Sequence, residues 1–215
     1  MITIKKAKPE DLDAILELQY AAYQSEALLY NNFSIQPLTQ TLDELTAEYH
    51  KGVILKAVDN GKIIGSVRAY ADGDTVYIGK LIVHPDHQGK GSGKRLLAAV
   101  ENELHRKRFE LFTGFKSERN LHLYEKAGYT RIHETTTDDG ITFVYLEKQY
   151  EDSMNIAVGI PIGLVIGAII GIMLDDIGLW ISVGLCIGIA VGAALPRKKP
   201  IRGKGIKNEG NRARK

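Results

Sequence analysis

The apolar positions of the first 150 residues change period repeatedly, and each change marks an element. Residues 3–7 read as a short strand. Pro9-Glu10-Asp11 then suits a first helical turn, with a proline and two acids at the positive end. Leu12, Ile15, Leu16, Leu18 and Ala22 follow at helical spacing. Residues 29–40, with Asn31-Asn32 and Pro37, read as a loop. Thr41 and Glu44 form a capping box that starts a second helix through about His50. Strands are predicted at 53–58, 62–70 and 75–83, punctuated by Asn60-Gly61 and Asp72-Gly73, which is hairpin chemistry and makes them antiparallel. A main helix is predicted from Gly91 to Arg106, a strand over 109–115, and a short helix over 120–127 closed by Gly128. Strands at 129–136 and 141–150 close the domain across Asp138-Asp139-Gly140.

After residue 150 the pattern changes in kind. Residues 156–174 are 19 positions without a charge, and residues 179–195 are 17. At a rise of 1.5 Å per residue the first run spans roughly 28 Å, close to the hydrocarbon thickness of a bilayer. Only Asp175-Asp176-Ile177-Gly178 separates the runs, so they predict a two-helix transmembrane hairpin over 154–196 with Trp180 at the interface. Glycines fall at 159, 163, 167 and 171 and again at 184, 188 and 192. A period of four puts each set on one helix face, the small-xxx-small device of membrane packing. These faces can pair the two spans, drive homo-oligomerisation, or both. In a soluble helix each glycine would cost about 1 kcal/mol relative to alanine.

Composition sharpens this division. The mean hydropathy of −0.13 averages two unlike materials. The net charge of +2 is also a composite, because residues 196–215 carry nine Lys/Arg and one acid, leaving the preceding body acidic. Residues 197–215 are expected to be a basic disordered tail, suited to an anionic surface. The one cysteine, Cys186, excludes an internal disulfide. The N-terminus shows no apolar run before charged sequence begins, so no cleavable signal peptide is expected.

The stretch Gln88-Gly89-Lys90-Gly91-Ser92-Gly93 lies between the strand ending in Val83 and the helix opening at Lys94. A glycine-rich turn there leaves backbone N–H groups uncovered at the positive end of a helix, which seats a diphosphate. A P-loop does not fit: its first glycine would stand where Gln88 is and its Ser/Thr where Arg95 is. A dinucleotide fingerprint starting at Gly89 or Gly91 lacks its third glycine, since Lys94 and Leu96 occupy those places. The spacing Gln88, Gly91, Gly93 resembles the acetyl-CoA motif of GNAT-family N-acetyltransferases. The element order β-α-α-β-β-β-α-β-α-β-β over about residues 1–150 is similar to that family's α+β fold, a mixed, mostly antiparallel twisted sheet flanked by helices.

The resemblance implies a site. Leu81 and Val83 would offer backbone contacts to the pantetheine arm of acetyl-CoA, with the Val83 N–H near the thioester carbonyl. Gln88, Gly89, Lys90, Gly91, Ser92, Gly93 and Lys94 would bind the pyrophosphate. Asn120 and Tyr124, four residues apart on one helical face, match the family positions that contact CoA and protonate the departing thiolate. Glu26 and Tyr30 are candidates for the general base by location alone. The acceptor site would be built largely from residues 24–40. No metal site is expected, since His84 and His87 share a loop without a third ligand.

The resulting expectation is a membrane-anchored N-acetyltransferase that moves acetyl from acetyl-CoA to a small-molecule or peptide amine. The competing reading is a non-catalytic acetyl-CoA-binding sensor or scaffold. A small pore is disfavoured because the spans carry no ionisable residues. No nucleic-acid partner is expected. Arg197-Lys198-Lys199 and the cytosolic supply of acetyl-CoA both place the catalytic domain and the tail on the cytoplasmic side of a cell membrane crossed twice.

Overall fold

The computed structural model describes residues 2–154, 156–194 and 196–201. They fall into two compact units, one ending at Gln149 and one spanning Tyr150–Ile201. The first unit is built from β1 (Thr3–Lys6), α1 (Leu12–Tyr30), α2 (Gln36–Thr39), α3 (Leu42–Lys51), β2 (Val53–Asp59), β3 (Lys62–Asp72), β4 (Thr75–Val83), α4 (Ser92–Leu104), β5 (Arg108–Gly114), α5 (Glu118–Lys126), β6 (Thr130–Thr136) and β7 (Thr142–Met154). The strands form one sheet in the order β1-β2-β3-β4-β5-β7-β6. Every neighbouring pair on this path is antiparallel except β4 with β5. That exception follows from the connection: α4 carries the chain back to the start of the sheet before β5 begins, as a parallel pair requires.

The hairpins form where turn chemistry permits them. Asn60 and Gly61 both take positive φ, which a two-residue turn between twisted strands demands. Thr41 caps α3 as its sequence suggests: its hydroxyl accepts from the Glu44 N–H at 3.3 Å, and the Glu44 carboxylate accepts from the Thr41 N–H at 2.8 Å. The stretch 29–40 differs from expectation. Helix α1 runs on to Tyr30 and ends where Asn31 turns left-handed at φ 50°, and Pro37 is tolerated in the first turn of α2.

Two packed layers hold the sheet. Leu12, Ile15 and Leu16 of α1 join Leu45 of α3 and Ile54 of β2 in one buried cluster with Ala7. Helix α4 packs on β1 through β4 and buries Leu96, Leu97 and Val100 completely or nearly so. Each of these three side chains contributes about 2 kcal/mol by leaving water. Gly65 on β3 permits this approach, since a Cβ there would lie 3.0 Å from the Leu96 Cδ1 and from the Ile82 carbonyl oxygen.

The second unit contains α6 (Ile156–Met173), α7 (Ile177–Ala194) and a further strand, β8 (Pro196–Ile201), which pairs with β7. Residues 197–201, expected to open the disordered tail, instead belong to this strand, because a helical hairpin returns the chain beside the strand from which it left. The rest of that tail, 202–215, lies outside the described residues. Helices α6 and α7 pack through their glycines. A Cβ at Gly159 would lie 2.0 Å from the Gly188 carbonyl oxygen, and one at Gly163 would lie 2.1 Å from that of Gly184. Gly184, Gly188 and Gly192 are buried in this contact. The glycine faces thus meet each other within the hairpin, the first of the uses expected of them. The outward faces are apolar and exposed: Val165 at 60%, Ile169 at 55% and Ile187 at 52%. Among the described residues, α7 is the helix long and apolar enough to cross a membrane, and the apolar stretch described on α6, Gly159–Met173, is shorter.

Candidate active site

The site begins where β4 and β5 part. Their parallel pairing covers Thr75 to Ile78 against Arg108 to Leu111 and then stops, although β4 continues to Val83 and β5 to Gly114. The cause is a bulge in β4. Between Arg68↔Gly79 and Ser66↔Ile82, β4 spends one residue more than β3, and Lys80 takes φ 49°. A bulge bends its strand and raises the local twist, so β4 turns away from β5. Residues on both sides of the opening line a cavity of about 1430 Å³.

The free edge of β4 faces this opening. The His84 N–H bonds to the Ile64 carbonyl at 2.9 Å, so the adjacent pair Val83↔Gly65 is the non-hydrogen-bonded kind. The Val83 N–H and C=O therefore point away from β3. The Val83 carbonyl in fact accepts from the Gln88 side-chain amide at 2.9 Å. Leu81 and Val83 both line the cavity.

The glycine loop closes the same end. Gly89 and Gly91 have φ of 75° and 80°, and a Cβ on either would meet nothing within 4 Å. Gly91 is the N-cap of α4 and supplies no side-chain cap, so the first N–H groups of that helix lack intrahelical partners. Gly89, Gly91, Ser92, Gly93 and Lys94 line the cavity beside them. An uncapped helix end, an open cradle and a free strand edge in one cavity fit a ligand with a diphosphate and an amide-bearing arm, the shape of a CoA thioester.

Gln88 lines the cavity as well, and its side chain donates to the Val83 carbonyl and accepts a hydrogen bond from Arg119 of α5, which braces the loop. Lys90 is exposed, donates to the Asp86 carbonyl at 3.2 Å, and is absent from the lining. Arg119, His122 and Lys126 do line this end. Their spacing of three and four on α5 was the available sequence signal, since it places them on one face.

Asn120 and Tyr124 come together with Glu26 and Tyr30 of α1. The Glu26 carboxylate accepts from the Ser117 hydroxyl at 2.5 Å and from the Asn120 amide at 3.2 Å. The Tyr30 hydroxyl accepts from the Lys116 N–H at 2.7 Å, and its ring occupies the space above Gly114. Both candidate bases thus strap the end of α1 to the β5–α5 connection. One turn along α5, Tyr124 is 7% exposed and lines the cavity. Burial pushes its phenol above the usual range, and Tyr23 and Glu26 add to the effect. Tyr23, on the facing wall, is raised to about 12, again chiefly by burial and then by Glu26.

The far end of the cavity rests on a buried polar network that sequence reading missed. Arg68, 6% exposed, donates to Gln40 at 2.9 Å, Glu48 at 2.6 Å and Gln19 at 2.5 Å. These bonds tie β3 to α1, to α3 and to the segment between α2 and α3. Lys80, on the bulge, donates to Gln36, and burial lowers its ammonium to about 8, with Glu48 and Glu44 opposing and Arg68 assisting. Among the described residues, no group of three or more His, Cys, Asp or Glu side chains is placed to hold a metal.

The chain is similar to known proteins in sequence pattern and in fold. An acetyltransferase (GNAT) domain model matches residues 19–150, and a glycine zipper membrane protein model matches residues 149–198. No curated protein matches the chain by sequence. Solved structures similar to it include an N-acetyltransferase from Staphylococcus aureus Mu50, at 20% identity and TM-score 0.56, over 68% of this chain and 97% of that one. The ribosomal-protein-S18-alanine N-acetyltransferase from Escherichia coli is 19% identical with TM-score 0.57, over 68% and 92%. YncA from Salmonella typhimurium, solved with its cofactor acetyl-CoA, is 21% identical with TM-score 0.55, over 69% and 93%. At these identities the likeness is one of fold. The GNAT domain match, however, covers more than half of the sequence, and by it the chain belongs to the GNAT acetyltransferase family.

Proposed function

We propose that this protein is a membrane-anchored N-acetyltransferase that transfers acetyl from acetyl-CoA to a primary amine of a cytosolic acceptor. The observation that carries the reading is the meeting of the free Val83 edge, the open glycine cradle and the buried Tyr124 phenol in one cavity. Acetyl-CoA would supply the acetyl group already activated as a thioester. Gly89, Gly91, Ser92, Gly93 and Lys94 would hold its pyrophosphate by backbone N–H groups and one ammonium. Leu81 and Val83 would align its arm as an added strand, and the Val83 N–H would stabilise the carbonyl oxygen as it gains charge. Asn120, held by Glu26 and lining the cavity, would contact CoA from the same face of α5 that presents Tyr124. The Tyr124 phenol, protonated at neutral pH like any tyrosine, would protonate the sulfur as the C–S bond breaks.

The hairpin supplies the anchor. Its outward Ile, Val and Leu side chains have no partner of their own chain among the described residues, and lipid acyl chains suit them. We read α6 and α7 as two spans with Asp175 and Asp176 outside and both flanks cytoplasmic, on the strength of Arg197-Lys198-Lys199.

The deciding experiment is CoA release by the detergent-solubilised full chain with a panel of amines, repeated with Tyr124→Phe. The variant should lower kcat about a hundredfold, within the range of general acid catalysis, and leave acetyl-CoA affinity nearly intact. Binding of acetyl-CoA with no release for any amine would leave only a binding module. An unchanged kcat in the variant would reduce Tyr124 to a packing residue.

A further inference from the structure

We propose that the acceptor amine is carried on an aromatic or hydrocarbon skeleton, which is read by an aromatic surface on the sheet; this rests on the acetyltransferase reading of the same cavity. Strand register builds the surface. Tyr70 faces Tyr77 across β3 and β4, Tyr77 is level with Glu110 across β4 and β5, and Phe112 faces Tyr145 across β5 and β7. Residues two apart share a face, so Phe112 follows Glu110 and Phe143 follows Tyr145. All six residues line the cavity that contains Tyr124.

The rings form two banks. Tyr70 and Tyr77 stack at 5.1 Å with an angle of 24°. Phe112 meets Phe143 edge-on at 5.4 Å and lies tilted beside Tyr145 at 5.4 Å. Between the banks stands Glu110, held by Arg108 at 2.6 Å. Tyr70 and Phe112 remain 51% and 54% exposed, so each bank offers a large ring that the fold itself does not cover. Aromatic faces and a carboxylate in one concavity attract an amine together with the flat or apolar group that bears it. An anionic acceptor finds a carboxylate and no cation among these six residues, while Lys51, Lys94, Arg119 and Lys126 line the same cavity elsewhere. Arg68 is committed to Gln19, Gln40 and Glu48, and Lys80 to Gln36.

The test compares 2-phenylethylamine, ethanolamine and O-phosphoethanolamine as acceptors for the detergent-solubilised full chain. The aromatic amine should have a kcat/KM at least about tenfold above ethanolamine, a difference equal to ~1.4 kcal/mol, and the phosphorylated amine should be the poorest. Phe112→Ala and Tyr70→Ala, both at exposed rings and so compatible with folding, should each bring the ratio of aromatic amine to ethanolamine down severalfold. A uniform loss of stability would not move that ratio. Equal efficiency for 2-phenylethylamine and ethanolamine overturns this inference and leaves acetyl transfer standing. Absence of CoA release with every amine overturns both. A Phe112→Ala variant that changes from dimer to monomer in sedimentation while keeping its amine preference also overturns it, and assigns the face to a contact between copies.

Discussion

Gly91 and Gly61 form a matched pair for testing the phosphate cradle. Each has φ of 80°, and a Cβ added to either meets nothing within 4 Å. Gly61 sits in the β2–β3 turn, whereas Gly91 caps α4 and lines the cavity. Alanine at either position should cost the left-handed penalty of about 1–2 kcal/mol for an L-residue. For a chain of this size that corresponds to a melting-temperature fall of about 2–8 °C. The two variants should therefore be destabilised alike. Only Gly91→Ala places a methyl where a diphosphate must approach the backbone. Loss of one hydrogen bond to a charged group is worth about 1.5–3 kcal/mol, so CoA affinity should drop roughly 10- to 150-fold. Thermal melting and calorimetric titration with CoA, both on the detergent-solubilised full chain, separate the two effects. Gly61→Ala should melt lower and bind as the parent does. Equal CoA affinities for the two variants would refute the cradle. A binding loss in Gly91→Ala accompanied by a much larger melting shift than in Gly61→Ala would refute the reasoning from matched strain.

Further tests address other parts of the chain. Competitive labelling of amines against pH should find Lys80 titrating near 8 rather than in the ordinary lysine range; a value near 10.5 would show the bulge amine to be fully solvated. The sign for stability follows: the depressed ammonium costs the fold most below about 8, and that cost is relieved as pH rises toward 10.5, because there the unfolded chain alone still holds the proton. Lys80→Met should remove that rise in a pH series of denaturant titrations. Gly163→Leu should separate α6 from α7, since even a Cβ would lie 2.1 Å from the Gly184 carbonyl oxygen, whereas Ile169→Leu on the outward face should be silent. The melting midpoint of helical circular dichroism in detergent distinguishes them, and equal midpoints would contradict the packing. The full chain should resist carbonate extraction from membranes, and an impermeant thiol reagent should label Asp175→Cys only from outside. Release by carbonate would exclude spanning.

Much of this protein follows from its sequence because the relevant physics is local. Hairpin turns depend on a few residues with positive φ, as at Asn60-Gly61, and helix starts depend on caps, as at Thr41 and Glu44. The glycine loop is legible because open backbone at a helix start needs glycine in known places. The two apolar helices and their glycine faces are legible because period and length are properties of the chain itself. The last two residues of α1 and the short α2 were not, since a left-handed Asn31 and a Pro37 in a first helical turn look like loop residues until the segment packs.

The site's shape belongs to the tertiary structure. The parting of β4 from β5 needs a bulge at Lys80, and a bulge exists only as a mismatch between two paired strands. Arg68, Lys80, Arg119 and Tyr23 are brought to one cavity from β3, β4, α5 and α1, and no spacing along the chain encodes that convergence. Glu26 and Tyr30, candidate bases by position alone, also strap α1 to Ser117, Asn120 and Lys116, and those partners lie more than 80 residues away in sequence. A single period of four in the glycines was compatible with pairing within the hairpin, between copies, or both. That the two faces meet within the hairpin is a property of the tertiary structure alone, because a glycine face is defined by the backbone that fills it.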